Sequence, residues 1–408
     1  MKMLYFGTVC NEDSFEEICS NSKIKPSAAP QNFEMSLIKG MDKIPNLEIQ
    51  ANSFVPIPTF PNGYLLFWGR KKEKLTDNIT TKWLPAINIQ VVKQLFLFLF
   101  SFFVTLMWLI GNRKDRNKVI TLYSIYAPVA CGIIPLAKLA KCKVNVIVPD
   151  LPSFMFTYTE VKGIKAKLIP LFLSVTNSID SKFDSYIFLT KFMQDVINKK
   201  NKPYIIIEGI ANDTDLVHEN DKLVCSEKRA IMYAGALNEK FGIDKLIEAF
   251  KIIPESELEL WLFGDGDMVE KILKHSQEDN RIKYLGRKTR NEILRYERKA
   301  TLLVNIRTTN DEYTKYSFPS KTIEYMASGT PLLTTKLPGI PLEYYNHCYT
   351  IEDETLDGIA MSLNKILSLS DDELRIMGNS AREFIVSNKS AKMQAEKICS
   401  FLEKIVNE

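Results

Sequence analysis

Residues 316–331 read YSFPSKTIEYMASGTP, and this stretch decides the fold because it predicts one helix set closely before a buried strand. Pro319 and Ser320 can open the helix, since proline is favoured in the first helical turn. Gly329 ends the helix just before the apolar run Pro331–Thr334, which predicts a strand. A helix followed at once by a buried strand is typical of a parallel sheet with helices on both faces.

The same alternation continues outward through the C-terminal half of the chain. The predicted strands are Ala230–Ala234, Leu258–Phe263, Ile282–Leu285 and Thr301–Asn305, and apolar residues at helical spacing predict helices over 243–250, 269–273 and 292–296. Strands alternating with helices in this way define an α/β domain of the doubly wound, Rossmann-like kind. Ligands of such sheets bind beyond the carboxyl ends of the strands.

The N-terminal half shows a less regular version of this pattern. Its predicted strands are Lys2–Phe6, Val119–Leu122, Val144–Val148, Ser185–Leu189 and Tyr204–Ile207. A length of 408 residues fits two domains. We therefore predict an N-terminal domain over 1–208, joined by an amphipathic C-terminal helix over 390–406, and a C-terminal domain over 209–389. Two such domains in tandem are expected to face each other across a cleft.

The composition narrows the class of protein. Hydrophobic residues make up 46% and charged residues 25% of the chain, as in ordinary globular proteins, and the net charge of +4 gives no reason to expect nucleic-acid binding. The 7 cysteines form no Cys-x-x-Cys pair and predict reduced thiols in a cytoplasmic protein. The histidines His218, His275 and His347 cluster with no cysteine, so we predict no metal site. The apolar run of Met1–Gly7 is too short for a signal peptide.

The helix start near Ser320 is also the first candidate binding site. Backbone N–H groups that are free at a helix N-terminus suit a diphosphate, and Lys321 adds a positive charge there. Glu324 lies one turn further on, where its carboxylate could accept hydrogen bonds from ribose hydroxyls. From the residues alone, a well-capped helix with a solvated Glu324 explains the pattern equally well.

Two candidate sites follow strands of the N-terminal half. Gly7 and Thr8 come directly after the first strand, where a tight backbone could approach a substrate; a plain turn is the alternative. Asp150, in the segment Pro149–Pro152, follows the strand Val144–Val148 and could orient an acceptor hydroxyl. An aspartate that caps a helix N-terminus explains Asp150 at least as well.

Four segments together resemble one known family. Residues 316–331 resemble the C-terminal signature of the retaining GT-B glycosyltransferases of family four, also called glycosyl transferases group 1. Tyr233–Gly242, Trp261–Gly266 and Tyr284–Arg287 resemble further segments of that family in the same order. The resemblance is close across 230–345 and only architectural before residue 205.

The resemblance implies a GT-B fold and assigns roles to particular residues. Lys240 would neutralise the leaving diphosphate as the catalytic cation, and Glu324 would hold the ribose. The remaining donor-binding residues that it implies are Gly235, Gly264, Asp265, Gly266, Arg287, Tyr316, Ser317, Phe318, Pro319, Ser320 and Lys321. The chain departs from the family at three places: Tyr316 stands where the first of two glutamates is usual, Ala236 stands near the place of an arginine, and the N-terminal domain holds no histidine.

The implied reaction moves a sugar from a nucleotide-sugar donor to a saccharide acceptor with retention, and needs no metal or other cofactor. Breaking the donor bond leaves extra negative charge on a diphosphate, so fixed cations and backbone donors must face it. We expect a lipid-linked acceptor in cell-surface polysaccharide synthesis. A non-catalytic partner subunit is one alternative. A dinucleotide oxidoreductase is another, although Val269 stands where its third glycine would be needed.

The run Leu95–Ile110 contains no charge over sixteen residues. Lys93 precedes it, and Arg113, Lys114, Arg116 and Lys118 follow it. A helix of that run would be about 24 Å long, short for a membrane span. Because it lies inside the first domain, a single membrane crossing would separate parts of one sheet. A helix buried between layers remains one alternative. We favour a helix lying in the plane of the membrane, which would place the protein peripherally on the inner face of the cell membrane.

Overall fold

The computed structural model describes residues 1–151, 174, 176–212 and 229–408. The chain divides into two compact units, Met1–Ile210 with Ala391–Glu408, and Ala211–Ser390. The predicted boundary at Glu208 and Gly209 lies two residues before this division. Pro152 and His218, which the sequence analysis named, and one of the seven cysteines, Cys225, lie outside the described residues.

The N-terminal unit is built on an eight-stranded sheet. Its strands, with two that form a separate ribbon, are β1 Lys2–Gly7, β2 Glu48–Ser53, β3 Phe67–Trp68, β4 Lys72–Lys74, β5 Thr80–Trp83, β6 Ala86–Ile87, β7 Lys118–Tyr123, β8 Lys143–Val148, β9 Ser185–Phe188 and β10 Tyr204–Ile206. The sheet order is β10-β9-β8-β7-β1-β2-β5-β4, and all neighbours are parallel except β4 and β5. The antiparallel ribbon pairs β3 with β6. Every strand predicted in this half is present.

The helices of this unit are α1 Glu12–Asn21, α2 Ala28–Met41, α3 Gln90–Gly111, α4 Ala127–Leu139, α5 Met193–Ile197 and the C-terminal helix Ala391–Asn407. The C-terminal helix packs on α2 at Gly40, where a Cβ atom would lie 2.1 Å from the Ala391 carbonyl oxygen. Ile398 and Leu402 of that helix join the buried core under β1. This packing explains why the end of the chain belongs to the first unit.

The C-terminal unit contains a six-stranded, fully parallel sheet in the order β13-β12-β11-β14-β15-β16. Its strands are β11 Ala230–Ala236, β12 Glu259–Asp265, β13 Ile282–Gly286, β14 Leu302–Asn305, β15 Leu332–Thr335 and β16 Tyr349–Ile351. Its helices are α6 Ile243–Ile252, α7 Val269–Glu278, α8 Arg290–Lys299, α9 Ser320–Ser328, α10 Leu356–Leu367 and α11 Asp371–Lys389. The predicted α/β class with two Rossmann-like units is confirmed.

Helices cover both faces of this second sheet, which explains why its strands are almost wholly apolar. Ile231 and Tyr233 of β11 face one core cluster, and Met232 and Ala234 face the other. Strands that are buried on both faces have continuous apolar runs instead of alternating ones. This is the pattern that the sequence carries from Ala230 onward.

Helix α3 differs from its prediction in its length and in how much of its surface is buried. It has 22 residues and is about 33 Å long, so the expectation of a helix too short to span a membrane was wrong. The alternative of a helix buried between layers is also wrong, because only one side is covered. Ser101 and Thr105 lie on the covered side, against α4, where Gly132 leaves room for the Ser101 side chain.

Candidate active site

The predicted donor-site residues collect at one edge of the C-terminal sheet, because parallel strands end on the same side. Gly235 lies near the end of β11, and Gly264 and Asp265 end the adjacent strand β12. Gly264 has φ +132°, and a Cβ atom there would lie 1.8 Å from the Gly235 carbonyl oxygen. Only glycine permits this approach, so the backbones of the two strand ends lie in direct contact.

Helix α9 begins at this same edge. Pro319 is its N-cap residue and Ser320 its first residue, as the sequence predicts. The Tyr325 hydroxyl, which is fully buried, donates to the Ala234 carbonyl at 3.0 Å and accepts from the Ala234 N–H at 2.8 Å. Phe318 is buried with its ring centroid 5.5 Å from that of Tyr344. The two anchors fix both the axis and the first turn of α9.

Glu324 is a largely buried carboxylate, with its side chain 14% exposed, and it has positive neighbours. The Lys321 ammonium donates a hydrogen bond to one Glu324 oxygen, and Arg290 Nη1 lies 4.0 Å from the other. Burial raises the pKa of Glu324, but the charges of Lys321 and Arg290 and a hydrogen bond with Glu297 outweigh burial and hold the pKa below its usual range. Glu324 is therefore a fixed acceptor, suited to ribose hydroxyls. The charge of Lys321 is compensated by Glu324, which weakens the prediction that Lys321 serves a diphosphate.

Lys240 lies in a short 3-10 helix, Glu239–Phe241, between β11 and α6. It lines a pocket of about 220 Å³ together with Gly242, Arg307 and Thr335. The sequence analysis missed Arg307, which follows β14 by two residues. The available signal was its position: a cation beyond the carboxyl end of a buried strand lies where ligands of such sheets bind.

The other predicted donor residues lie around this edge. Arg287 and Asp265 are both exposed, and their closest charged atoms are 4.0 Å apart. The Gly266 N–H donates to the Asp265 carboxylate at 2.9 Å. Tyr316 and Ser317 form the half-buried turn before α9, and a Cβ atom on Gly339 would lie 2.4 Å from the Ser317 carbonyl oxygen.

In the N-terminal unit, Gly7 and Thr8 rest on a buried glutamate that the sequence analysis missed. The Thr8 N–H lies 2.9 and 3.0 Å from the two oxygens of Glu34, and the Tyr5 hydroxyl donates to Glu34 at 2.7 Å. A Cβ atom on Gly7 would lie 1.9 Å from Glu34 Oε2. The Thr8 amide is therefore bound to Glu34 in this structure. Its role on the acceptor side stays a prediction.

Burial raises the pKa of Glu34 to about 7, although hydrogen bonds from Thr8 and Tyr5 act in the opposite direction. The available signal in the sequence was that Glu34 is the sole acidic residue of the helix α2, in a mostly apolar stretch. Asp150 lies exposed two residues after β8. The alternative that Asp150 caps a helix concerns residues outside the described part of the chain.

Among the described residues, one group has the side chains to hold a metal ion. Asp244, Glu248 and His275 offer ligand atoms within 4.8 Å of one another, on α6 and α7. Two ammonium groups already contact this group: Lys271 Nζ lies 2.6 Å from Asp244, and Lys251 Nζ lies 2.7 Å from His275 Nδ1. These cations compensate the carboxylates, so the arrangement is that of a salt-bridge network.

Comparison with solved structures establishes the fold. A sucrose-phosphate synthase from Thermosynechococcus elongatus superimposes with a TM-score of 0.68, at 15% identity and with 100% of both chains covered. The Anabaena protein HepE, solved with UDP and glucose, superimposes with a TM-score of 0.62, at 12% identity over 98% of this chain and 99% of its own. Likeness at these identities shows the fold alone, and the fold is GT-B.

The sequence comparisons point to one family for the C-terminal unit. The model of the glycosyl transferases group 1 matches residues 218–384, which lie within that unit. An uncharacterized glycosyltransferase of Methanocaldococcus jannaschii is 28% identical over 55% of this chain and 60% of its own length. The N-acetyl-alpha-D-glucosaminyl L-malate synthase of Bacillus anthracis is 29% identical over 40% of this chain and 41% of its own. This chain therefore spans less than two thirds of each of these relatives.

If Glu324 binds ribose, it should distinguish a nucleoside diphosphate from its 2′,3′-dideoxy analogue. In the wild type, removing the ribose hydroxyls should weaken the free energy of binding by about 1.5–3 kcal/mol, the range for hydrogen bonds to a charged group. In Glu324→Ala the two ligands should bind equally. Calorimetry with both ligands measures this, and comparing ligands within one variant cancels the effect of releasing Lys321. Glu270→Ala, at an exposed glutamate, is the control; a preserved difference in Glu324→Ala would contradict the assignment.

The raised pKa of Glu34 predicts a pH dependence of stability. The folded state keeps the Glu34 proton up to about pH 7, whereas the unfolded state loses it near the ordinary value of 4.5. Stability should therefore fall as the pH rises from 4.5 to 7, by about 3 kcal/mol from this residue. Urea unfolding at several pH values should show a flatter profile for Glu34→Gln than for the wild type. Glu12→Gln, at an exposed site in the same unit, should keep the wild-type profile. If the pKa of Glu34 were not raised, Glu34→Gln would keep the wild-type profile as well.

Proposed function

We propose that the protein transfers a sugar from a nucleotide-sugar donor to a saccharide acceptor, with retention and without a metal. The observation that carries the proposal is the carboxyl edge of the C-terminal sheet. There a carboxylate, Glu324, lies one turn into a helix whose N-terminus opens at that edge, in a domain that the model of the glycosyl transferases group 1 matches. This match also favours a transferase over a dinucleotide oxidoreductase.

The proposed chemistry depends on where the charges lie. Lys240 faces a pocket at the sheet edge and would stabilise the negative charge that develops on the leaving diphosphate. The N–H groups of Ser320 and Lys321 in the first turn of α9 would bind a phosphate, whereas the Thr322 N–H already donates to the Pro319 carbonyl at 2.9 Å. Glu324 would hold the ribose, which fixes the donor relative to these groups. The leaving phosphate would then take the proton of the acceptor hydroxyl on the same face of the sugar, as retention requires.

The outward face of α3 supports a membrane-bound acceptor. Val91, Leu95, Phe103, Met107 and Ile110 are 53–71% exposed along this face, and Leu99 is 39% exposed. These positions follow one side of the helix along its whole length, opposite the side that packs on α4. An apolar stripe of this length on a soluble surface marks an interaction site.

Strand β3 and the residue before it add exposed apolar side chains near the start of α3. Leu66 and Phe67 are 50% and 59% exposed. Lys93 of α3 contacts this part of the unit: its Nζ donates to the Ile57 carbonyl at 2.6 Å and lies 5.2 Å from the Trp68 ring centroid. We therefore group Leu66 and Phe67 with the outward face of α3 as one apolar surface.

We propose that this surface lies in the plane of an anionic membrane. Arg113, Lys114 and Arg116 follow α3 and are exposed, so they would meet lipid head groups while the apolar stripe enters the acyl boundary. The inclusion of Lys118 in this basic cluster was wrong, because Lys118 is buried as the first residue of β7. Although α3 has the length and composition to cross a membrane, β6 and β7 on its two sides belong to the same unit. A peripheral position on the inner face of the cell membrane would give the enzyme a lipid-linked saccharide acceptor, as in cell-surface polysaccharide synthesis.

The activity is tested in two steps. Thermal-shift screening with UDP-, GDP-, dTDP- and ADP-sugars should identify a donor that stabilises the fold. Hydrolysis of that donor should then fall at least tenfold in Lys240→Ala, about 1.4 kcal/mol of barrier, while nucleoside binding stays unchanged. A smaller loss would make Lys240 a surface lysine. Donor binding with neither hydrolysis nor transfer would favour the non-catalytic partner subunit.

Membrane binding is tested by flotation with liposomes. The wild type should float with anionic liposomes at low salt, less at high salt, and poorly with neutral liposomes, because the basic residues contribute. Phe103→Asp/Met107→Asp should stay in the soluble fraction. The matched control is Met361→Asp/Ile376→Asp, which changes two equally exposed apolar residues of the C-terminal unit and should float normally. If the wild type does not float, the docking surface is wrong, whatever the outcome for activity.

A further inference from the structure

Arg307 is positioned by the backbone of two strands and one turn. Its carbonyl oxygen accepts a hydrogen bond from the Thr335 hydroxyl at 2.6 Å. Just before it, the Ile306 carbonyl packs on Gly242, where a Cβ atom would lie 2.0 Å away, and Gly242 has φ +78°. Glycine alone permits this contact without strain. The turn that carries Lys240 is thereby fixed directly against the segment that carries Arg307.

The Arg307 side chain points to that same turn. Its guanidinium carbon lies 4.4 Å from the centroid of the Phe241 ring, the residue next to Lys240. A guanidinium on an aromatic face is held in one orientation while its outer nitrogens stay available for a ligand. Arg307 and Lys240 therefore line one pocket from two separate elements.

One donor of Arg307 has no acceptor. Its Nε atom is buried, and no atom of the described residues accepts a hydrogen bond from it. A buried cationic donor without a partner is costly, and in native proteins it calls for an explanation such as an absent ligand. Acidic side chains also line the pocket, but two of them are engaged: Glu354 accepts from the Thr309 N–H at 3.2 Å, and Asp244 pairs with Lys271 at 2.6 Å.

The buried Tyr233 links this pocket to the start of α9. Burial raises the pKa of Tyr233, and the positive charges of Arg307 and Lys321 both act in the opposite direction. Both cations are therefore close enough to influence one hydroxyl at the end of β11. The Tyr233 hydroxyl itself donates to the Ala236 carbonyl at 3.1 Å, at the position where the family arginine is missing.

We propose that Arg307 binds the diphosphate of the donor together with Lys240, and that it supplies from β14 the cation that Ala236 cannot supply from β11. The proposal rests on the proposed function and adds a residue to its donor site. Arg307 would donate to the phosphate oxygens, and a planar guanidinium suits two such oxygens at once.

The experiment compares three variants by calorimetry against three ligands: inorganic pyrophosphate, one nucleoside diphosphate and the corresponding free nucleoside. Inorganic pyrophosphate tests the anion site without reference to the base, and the best-binding member of UDP, GDP, ADP and dTDP tests the nucleotide site. Arg307→Gln should lower the affinity for both ligands at least tenfold and leave the affinity for the free nucleoside within twofold. The affinity of Arg307→Lys for both ligands should lie between those of Arg307→Gln and the wild type, because lysine keeps the charge and loses the planar guanidinium. Lys336→Gln, which removes an exposed cation paired with Glu352, should match the wild type.

The outcomes separate this proposal from the proposed function. If Arg307→Gln binds the nucleoside diphosphate and pyrophosphate as tightly as the wild type, Arg307 is not a diphosphate ligand, although the transferase proposal stands. If the wild type binds pyrophosphate through Arg307 but binds no nucleoside diphosphate, the anion site stands and the transferase proposal falls. If the wild type binds neither ligand, both are overturned. Circular dichroism with matching thermal midpoints confirms that each variant is folded.

Discussion

The Tyr325 hydroxyl makes two hydrogen bonds to the backbone of Ala234. The geometry at the carboxyl edge of the C-terminal sheet depends on these two bonds. Strand β11 pairs with β14 only at Ile231 and Met232. Two residues later, the N–H and carbonyl groups of Ala234 bind the Tyr325 hydroxyl instead. Burying a tyrosine there is favourable because its hydroxyl satisfies both the donor and the acceptor of one residue. Helix α9 is thereby fixed to the central strand, and its first turn opens where β11 ends.

The sequence could predict the order of elements because local patterns encode it. Strands such as β11 and β12 are apolar runs buried on both faces, and Gly329 ends α9 with φ +81°, as expected for a helix-ending glycine. The sequence could not predict Glu34 under Gly7 or Arg307 beside Phe241. Those contacts join residues far apart in the chain, and a charged side chain in a helix or after a strand looks the same whether it faces solvent or a buried partner.

Helix α3 shows the same limit in another form. Its uncharged run suggested a start near Leu95, but the helix begins at Gln90, because Lys93 can remain in the first turns by donating to the Ile57 carbonyl. An apolar run with no polar face gives no period from which to tell a buried side from an exposed one. The signal was in the small polar residues: Ser101 and Thr105 are one turn apart, and they mark the side that approaches α4 closely.

The cations at the carboxyl edge of the C-terminal sheet divide into two sets. Lys321 and Arg290 lie beside Glu324, and Lys240 and Arg307 line the separate pocket. This division follows from the burial of most of the Glu324 side chain. A buried carboxylate stays ionised only if a cation compensates it, and Lys321 and Arg290 provide that compensation. A cation committed to a carboxylate has little charge left to stabilise a leaving diphosphate. In the proposed reaction the leaving group therefore needs other cations, and the loop after β11 offers only Lys240, where the family that the chain resembles usually also has an arginine. A second cation would then come from a neighbouring strand end, and Arg307, two residues beyond β14, meets that requirement.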